Sequence, residues 1–160
     1  MRFPGVASIM GVWFLLGCSS APFEADAGSR RIELGTGTSA FVAIAEGARL
    51  ELIHGPQGGW HVDTTCRLYG LEPDGLVLSY QAIQPSDGSV VSLPVEVVLR
   101  RTRVVPEGDH FLRAGDRTIF DIEGPGEVVG ATVELVVRAT PTTGEPLEDR
   151  RVITVVDAVE

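Results

Sequence analysis

Short runs of apolar residues, many of them β-branched, alternate with polar residues along most of the chain after residue 30. In the segment ATVELVVRA, Val133, Leu135 and Val137 share one parity, and Thr132 and Glu134 share the other. A period of two is typical of a β-strand with one buried face. No stretch of ten or more residues carries the 3.6-residue period of an amphipathic helix. The pattern therefore predicts an all-β chain.

Turn residues divide the alternating runs into separate predicted strands. Pro presets φ in the sequences EPDG, PSDG, PEGD and PTTG, and Gly or Asp supplies the tight position. We expect Pro94 to mark an edge strand or a bulge, because Pro cannot donate to a sheet ladder. We expect residues 100–117 to be the longest irregular excursion. The predicted strands are Arg31–Leu34, Ala40–Ala45, Arg49–His54, Trp60–Tyr69, Leu76–Ile83, Val90–Arg101, Thr118–Ile122, Ala131–Ala139 and Arg151–Val156.

The number and spacing of these strands favour one particular architecture. Eight or nine short strands in about 130 residues are typical of two antiparallel sheets packed face to face. The last two strands look like the final hairpin of an immunoglobulin-like or fibronectin-like domain. We therefore expect a single antiparallel β-sandwich over residues 31–160.

The N-terminal segment has the organisation of an export signal. A short positive region at Arg2 precedes residues 6–16, VASIMGVWFLL, which are almost wholly apolar. Eleven residues are too few to span a bilayer as a helix, which needs about 20. They match the length of the apolar region of a secretory signal peptide.

The apolar run leads into Leu15-Leu16-Gly17-Cys18, which resembles the lipobox of bacterial lipoproteins. The resemblance implies that residues 1–17 are removed and that the Cys18 sulfur carries a diacylglycerol anchor. The alternative is an ordinary signal peptide that happens to end near a cysteine. In lipoproteins an Asp after the modified cysteine signals inner-membrane retention. Ser19 at that place therefore favours the outer membrane, on its periplasmic or surface face. Residues 18–30 are then the lipidated cysteine and a flexible tether.

Charge and cysteine content narrow the classes of partner. The formal net charge is −9, and all 13 basic residues are arginine. An acidic chain without a basic tract argues against nucleic acid as a partner and against electrostatic binding to anionic lipid. If Cys18 is lipidated, Cys66 has no partner for an intrachain disulfide. We expect Cys66 to be buried, as exported proteins rarely expose a free thiol.

The segment GPQGGWHVDTTC at residues 55–66 concentrates glycines, a histidine, an aspartate and a cysteine. Pairing the strands on either side so that apolar residues face each other sets His54 opposite Trp60 and Ile53 opposite His61. The two histidines then point to opposite sides of the sheet. In this register His61 and Asp63 lie on the outer face, where they are candidates for contact with a partner. Trp60 is interpreted as a core residue, with a ligand groove as the alternative.

None of the recognised catalytic or metal-binding spacings occurs in the sequence. Three histidines without an HExxH, HxH or CxxC pattern argue against zinc, which needs three or four convergent ligands. An inward, apolar setting argues against Cys66 as a nucleophile. The loop acids could bind calcium weakly, but no DxDxDG spacing supports such a site. The loop acids considered are Asp74, Asp87, Asp109, Asp116, Glu145 and Asp149.

Residues 32–73, which contain the GxQGGxH pattern, resemble a segment of uncharacterised envelope lipoproteins of GC-rich Gram-negative bacteria. The resemblance implies an envelope location and a β-sandwich, and no known activity. We therefore expect a lipid-anchored envelope protein, without enzymatic activity or cofactor, that has a binding, spacing or structural role. Its partners would be the membrane, through the lipid, and another envelope protein or a glycan. The alternatives are a module that binds a small ligand or calcium through its end loops, and an enzyme.

Overall fold

The computed structural model describes residues 30–157, which form strands and two short 3₁₀ turns, at Arg101–Arg103 and Pro125–Glu127. Within this range there is no α-helix, so the all-β prediction is confirmed. The predictions for residues 1–29, including the signal peptide, Cys18 and the tether, lie outside the described residues. The strands are β1 (Arg31–Thr36), β2 (Val42–Ala43), β3 (Ala48–His54), β4 (Trp60–Tyr69), β5 (Val77–Ile83), β6 (Val95–Val98), β7 (Val105–Glu107), β8 (His110–Phe120), β9 (Thr132–Thr140) and β10 (Leu147–Asp157).

All ten strands belong to one hydrogen-bonded sheet that curls around the core. Its main order is β2-β1-β4-β3-β10-β9-β5-β6, while β8 pairs with β4 and β7 pairs with β8. Strand β3 makes the sheet continuous, because Ile53 and His54 pair with β4 whereas residues 48–52 pair with β10. The predicted sandwich of two separate sheets is therefore not what these residues show.

The β3–β10 pairing also departs from the expected antiparallel pattern. These two strands run parallel, with Ala48 opposite Ile153 and Leu50 opposite Val155, whereas the other strand pairs are antiparallel. The predicted final hairpin is confirmed, with β9 and β10 paired from Ala139–Leu147 to Thr132–Thr154. Strand alternation cannot reveal a parallel pair between segments about 100 residues apart, because both strands bury apolar residues in either orientation.

Strand β8 is the main correction to the predicted elements. Residues 110–117, expected to be irregular, form the first part of an eleven-residue strand that pairs with the full length of β4. A β-bulge interrupts the register between the pairs Thr64–Asp116 and Cys66–Arg113. The extra residue breaks the period-two pattern, which hid the strand from the sequence analysis.

The predicted strand Val90–Arg101 is also divided. Isolated bridges join Ile83 to Val90 and Ser92 to Phe120, so this segment lies between β5 and β8 and brings the curled sheet close to closure. Strand β6 follows Pro94 directly and is the last strand in the order, which confirms the edge position expected there. Beyond residue 98 the chain crosses to β7, beside β8.

The core fills the inside of the curl and is built from residues of one parity on each strand. Tyr80 and Phe120 are its largest fully buried side chains. Burying a Leu, Ile or Val side chain contributes about 1.5–3 kcal/mol to the free energy of folding. The interior is therefore the main source of stability. None of the helices in the described part of the chain is long and apolar enough to cross a membrane. The fully buried aliphatic residues include Leu34, Leu52, Leu68, Leu76, Leu78, Leu99, Leu135 and Ile153.

Candidate functional site

The connection between β3 and β4 is the glycine-rich turn of residues 55–59. Its backbone closes on itself, since the Gly55 N–H donates to the Gly59 carbonyl and the Gly58 N–H donates to the Gly55 carbonyl, both at 3.0 Å. Gly58 and Gly59 have φ of 86° and 83°. Glycine populates this left-handed region without the steric cost that a Cβ brings, so the two glycines are needed for the turn itself.

His61 lies directly beneath this turn. The predicted register is confirmed, with Ile53 opposite His61 and His54 opposite Trp60. The expectation that His61 faces solvent is wrong, because the residue is only 5% exposed. A Cβ placed on Gly55 would lie 3.6 Å from Cε1 and 3.7 Å from Nδ1 of the imidazole. The ring therefore packs against the glycine turn, which covers it from above.

The neighbours of His61 form a small charged group on β4 and β8. Asp63 Oδ1 lies 3.7 Å from His61 Nε2 and 3.8 Å from Arg117 Nε. Burial lowers the pKa of His61, the positive charge of Arg117 lowers it further, and Asp63 opposes both effects. Near neutral pH the imidazole is therefore uncharged, and one arginine and one carboxylate balance each other beside it.

A cleft of about 220 Å³ opens between the turn and β8. Its walls are the backbone of residues 55–59 and the side chains of His61, Arg117 and Ile119. It is smaller than the roughly 300–1,000 Å³ typical of pockets that enclose a whole ligand. Such a cleft can accept a small polar group, such as one side chain or one sugar hydroxyl, through backbone groups, the imidazole and the exposed guanidinium.

The other two histidines do not join this group. His54 stacks on Trp60 on the opposite side of the sheet, with ring centroids 4.6 Å apart. His110 pairs with Tyr69 at the far end of β4, eight residues or about 26 Å along the strand from His61. Its Nδ1 lies 3.0 Å from Asp109 Oδ1.

A second polar group lies inside the core and was not predicted. The Tyr80 hydroxyl donates to Asp116 Oδ2 at 2.7 Å, and the Cys66 sulfur lies 3.3 Å from the same hydroxyl oxygen. Since the only hydroxyl proton of Tyr80 is committed to the carboxylate, the Cys66 thiol donates to Tyr80. The Arg113 guanidinium forms a two-point contact with Asp116, with Nε 2.9 Å from Oδ2, and donates to the Arg103 carbonyl at 3.1 Å.

The pKa shifts of the groups in this network indicate that it has a structural role. Burial raises the pKa of the Cys66 thiol to about 12, and burial also raises the pKa of Tyr80 well above its usual value. The hydrogen bond to Asp116 raises the pKa of Arg113. A thiol that stays protonated is a poor nucleophile. The expectation that Cys66 is buried is confirmed, since it is fully inaccessible.

The candidate calcium-binding acids are dispersed along the chain, and several of them already accept hydrogen bonds from the protein. Asp74 accepts a hydrogen bond from the Arg101 N–H at 2.6 Å, and Asp87 accepts one from Ser89 Oγ at 2.7 Å. Asp149 accepts one from the Leu34 N–H at 2.7 Å, and Asp116 is held in the core. No group of three or more His, Cys, Asp or Glu side chains that could hold a metal ion occurs within residues 30–157.

Comparison with known proteins adds no assignment. No protein-family model and no curated protein sequence matches the chain. Among solved structures, the CooA pilin subunit from enterotoxigenic Escherichia coli is similar at a TM-score of 0.38 and 12% identity, covering 81% of this chain and 99% of that chain. Similarity at this level supports no inference about either fold or function.

Proposed function

We propose that this chain is a lipid-anchored protein of the cell envelope with a binding, spacing or structural role and without catalytic activity. The observation that carries the proposal is the sequence Leu15-Leu16-Gly17-Cys18 directly after an eleven-residue apolar run. Within this proposal, Ser19 in the position after the cysteine, rather than Asp, favours the outer membrane. The partner is another envelope protein or a glycan.

The described domain supports a role that does not involve catalysis. Cys66 is buried with its pKa raised to about 12, which leaves Cys18 as the cysteine suited to modification. His110 lies on β8 opposite Tyr69, about 26 Å along the strand direction from His61 on β4, so the two histidines cannot act on one substrate atom together. Tyr80 and Asp116 are occupied with each other inside the core.

Metabolic labelling with palmitate in a Gram-negative host tests the anchor. We expect label in the wild-type chain and none in Cys18→Ala, because the thioether to the diacylglycerol cannot form without the thiol. The matched control is Cys66→Ala, which removes the buried thiol and should keep the label. Label retained in Cys18→Ala would overturn the anchor, whatever the role of the domain.

A small ligand in the cleft beneath the glycine turn is the second candidate function. The observation that favours it is the convergence of His61, the exposed Arg117 and turn backbone on one concave surface. Binding to the native state must raise its melting temperature. A melting temperature that is unchanged by EDTA and by added calcium would remove the calcium form of this alternative and leave a small organic or anionic ligand.

A further inference from the structure

Strand β6 leaves one side of the sheet open. It pairs with β5 on one side, Val95 with Tyr80 through Val98 with Val77, and within residues 30–157 no strand pairs with its other side. Val98 is 60% exposed, the largest exposure among the apolar side chains that stand out at the surface. An open strand edge with an exposed apolar residue is a template for pairing with another chain.

The direction of the backbone groups shows which residues could form that pairing. The Leu99 N–H donates to the Leu76 carbonyl at 2.7 Å, so Leu99 directs its backbone toward β5. Successive residues of a strand direct their N–H and C=O groups to opposite sides. Glu96 and Val98 therefore direct theirs away from β5, where the described residues provide no partner strand.

The side chains of the same residues lie together on the outer face. Glu96, Val98 and Arg100 are all exposed, whereas Leu99 is fully buried. The open edge thus presents a short row of outward side chains, an acid at Glu96, then Val98, then a base at Arg100, each two residues from the next. This row is the surface on which a pairing strand would place its own side chains.

We propose that β6 pairs with β6 of a second copy of this chain, antiparallel and with Val98 opposite Val98. In this register the Glu96 of each copy lies opposite the Arg100 of the other. Two ion pairs then flank a central valine pair, and the outward N–H and C=O groups of Val98 are satisfied reciprocally. The contact is isologous about a two-fold axis, as most homodimer interfaces are.

The charges exclude the neighbouring registers. An axis through Glu96 would place that carboxylate opposite its own copy, and an axis through Arg100 would do the same with the guanidinium. Like charges directly opposite each other destabilise a strand pair. An axis through Val97 is compatible with the backbone, as a pair that is not hydrogen-bonded, but it would set Glu96 opposite Val98 and leave both Glu96 and Arg100 without an opposite charge across the pair. The register centred on Val98 is the one that places Glu96 opposite Arg100.

Cysteine cross-linking of the full chain in cells tests the register. In Val98→Cys the two Cα atoms would be about 5.5 Å apart, within the roughly 4.4–6.8 Å that a disulfide tolerates. We expect a band of twice the monomer mass after mild oxidation, which disappears on reduction. The wild-type chain gives the baseline, since it retains both native cysteines and Cys66 is inaccessible.

Two variants distinguish cross-linking in this register from cross-linking by random collision of the chains. In Glu96→Cys the cysteines of the two copies would be four residues, or about 13 Å, apart along the strands, so this variant should not cross-link. The double variant Glu96→Cys/Arg100→Cys places a cysteine opposite each new cysteine and should cross-link, although less than Val98→Cys because both ion pairs are removed. Equal cross-linking of Glu96→Cys and Val98→Cys would overturn the proposal.

Charge exchange tests the ion pairs. In the Val98→Cys background, Glu96→Arg alone should lower the dimer band by roughly three- to thirty-fold, and adding Arg100→Glu should restore it. Absence of a dimer band from Val98→Cys, or a reducible product of a mass other than twice the monomer, would overturn the second copy as occupant. A dimer band in the wild-type chain would come from an unmodified Cys18, and it would count against the lipid anchor rather than against the β6 register.

Discussion

At the scale of single residues, His61 shows how a motif that resembles a site can be part of a turn. The pattern GPQGGWH places an imidazole under two left-handed glycines, with Gly55 close to Nδ1. A larger residue at position 55 would press on both the ring and the Gly58 carbonyl, 3.3 Å away. The glycines and the histidine are thus explained together by packing, before any ligand is considered.

The lowered pKa of His61 predicts a pH dependence of stability. The unfolded chain takes up a proton near pH 6.5 while the folded chain resists it, because burial and Arg117 disfavour the imidazolium. The stabilising contribution of neutral His61 is therefore complete above about pH 6.5 and is lost as the pH falls from there toward the lowered pKa.

Urea unfolding at pH 7.5 and pH 5.5 measures this effect. We expect the free energy of unfolding to fall less between these values in His61→Gln than in the wild type, since glutamine does not titrate. The control is His54→Gln, which changes an exposed histidine on the other side of the sheet and keeps His61. An unchanged pH dependence in His61→Gln would contradict the assignment.

At the scale of elements, the bulge in β8 is the feature that organises the inside of the sheet. Between Arg113 and Asp116, the two residues Ala114 and Gly115 lie opposite the single residue Thr65, and Gly115 has φ of 79°. The bulge turns Asp116 inward toward Tyr80 and brings it within reach of Arg113 on its own strand. A regular strand would put residues 113 and 116 on opposite faces, because their separation is odd.

Replacing the bulge glycine should therefore weaken the fold. We expect Gly115→Ala to lower the free energy of unfolding by about 1–2 kcal/mol, since a Cβ is strained at positive φ. Gly126→Ala is a suitable control, because that glycine has an ordinary φ and a Cβ there would meet nothing within 4 Å. Equal urea midpoints for the two variants would show that the bulge is not strained by a side chain.

At the scale of the whole molecule, the sheet holds itself together by two different means. Strand β3 carries the backbone hydrogen bonding from β4 to β10, which makes the sheet continuous. On the other side, β6 and β8 are not paired. There the hydrogen bond from Tyr80 to Asp116 connects β5 to β8, and Arg113 holds Asp116 within β8. The buried polar network thus joins parts of the sheet where the backbone ladder is incomplete.

Removing the tyrosine hydroxyl tests that connection. We expect Tyr80→Phe to lower the free energy of unfolding by about 2 kcal/mol, because a buried carboxylate loses a hydrogen bond that water cannot replace. The matched control is Tyr69→Phe, whose hydroxyl donates to the partly exposed Glu33 at 3.2 Å and should matter less. Similar urea midpoints for the two variants would argue that the network does not brace the fold.

The strand predictions are correct where the alternation of apolar and polar side chains is unbroken. Strand β4 was predicted with both ends correct, and the β3–β4 register was correct, because apolar residues had to face each other. Only the end of β8 was predicted, as the strand Thr118–Ile122, since the bulge changes parity at Gly115. With residues 110–117 expected to be irregular, neither Arg117 beside His61 nor Asp116 beside Tyr80 could be anticipated.

The sequence by itself determined the all-β class, most strand positions and the inward direction of Cys66. These follow from local alternation and turn chemistry, which each segment carries alone. Only the tertiary structure decided that β3 joins β10 in parallel, that the sheet is continuous, and that β8 and the glycine turn cover His61. Such features arise between segments far apart in the chain, and strand alternation is the same whichever strand lies beside another.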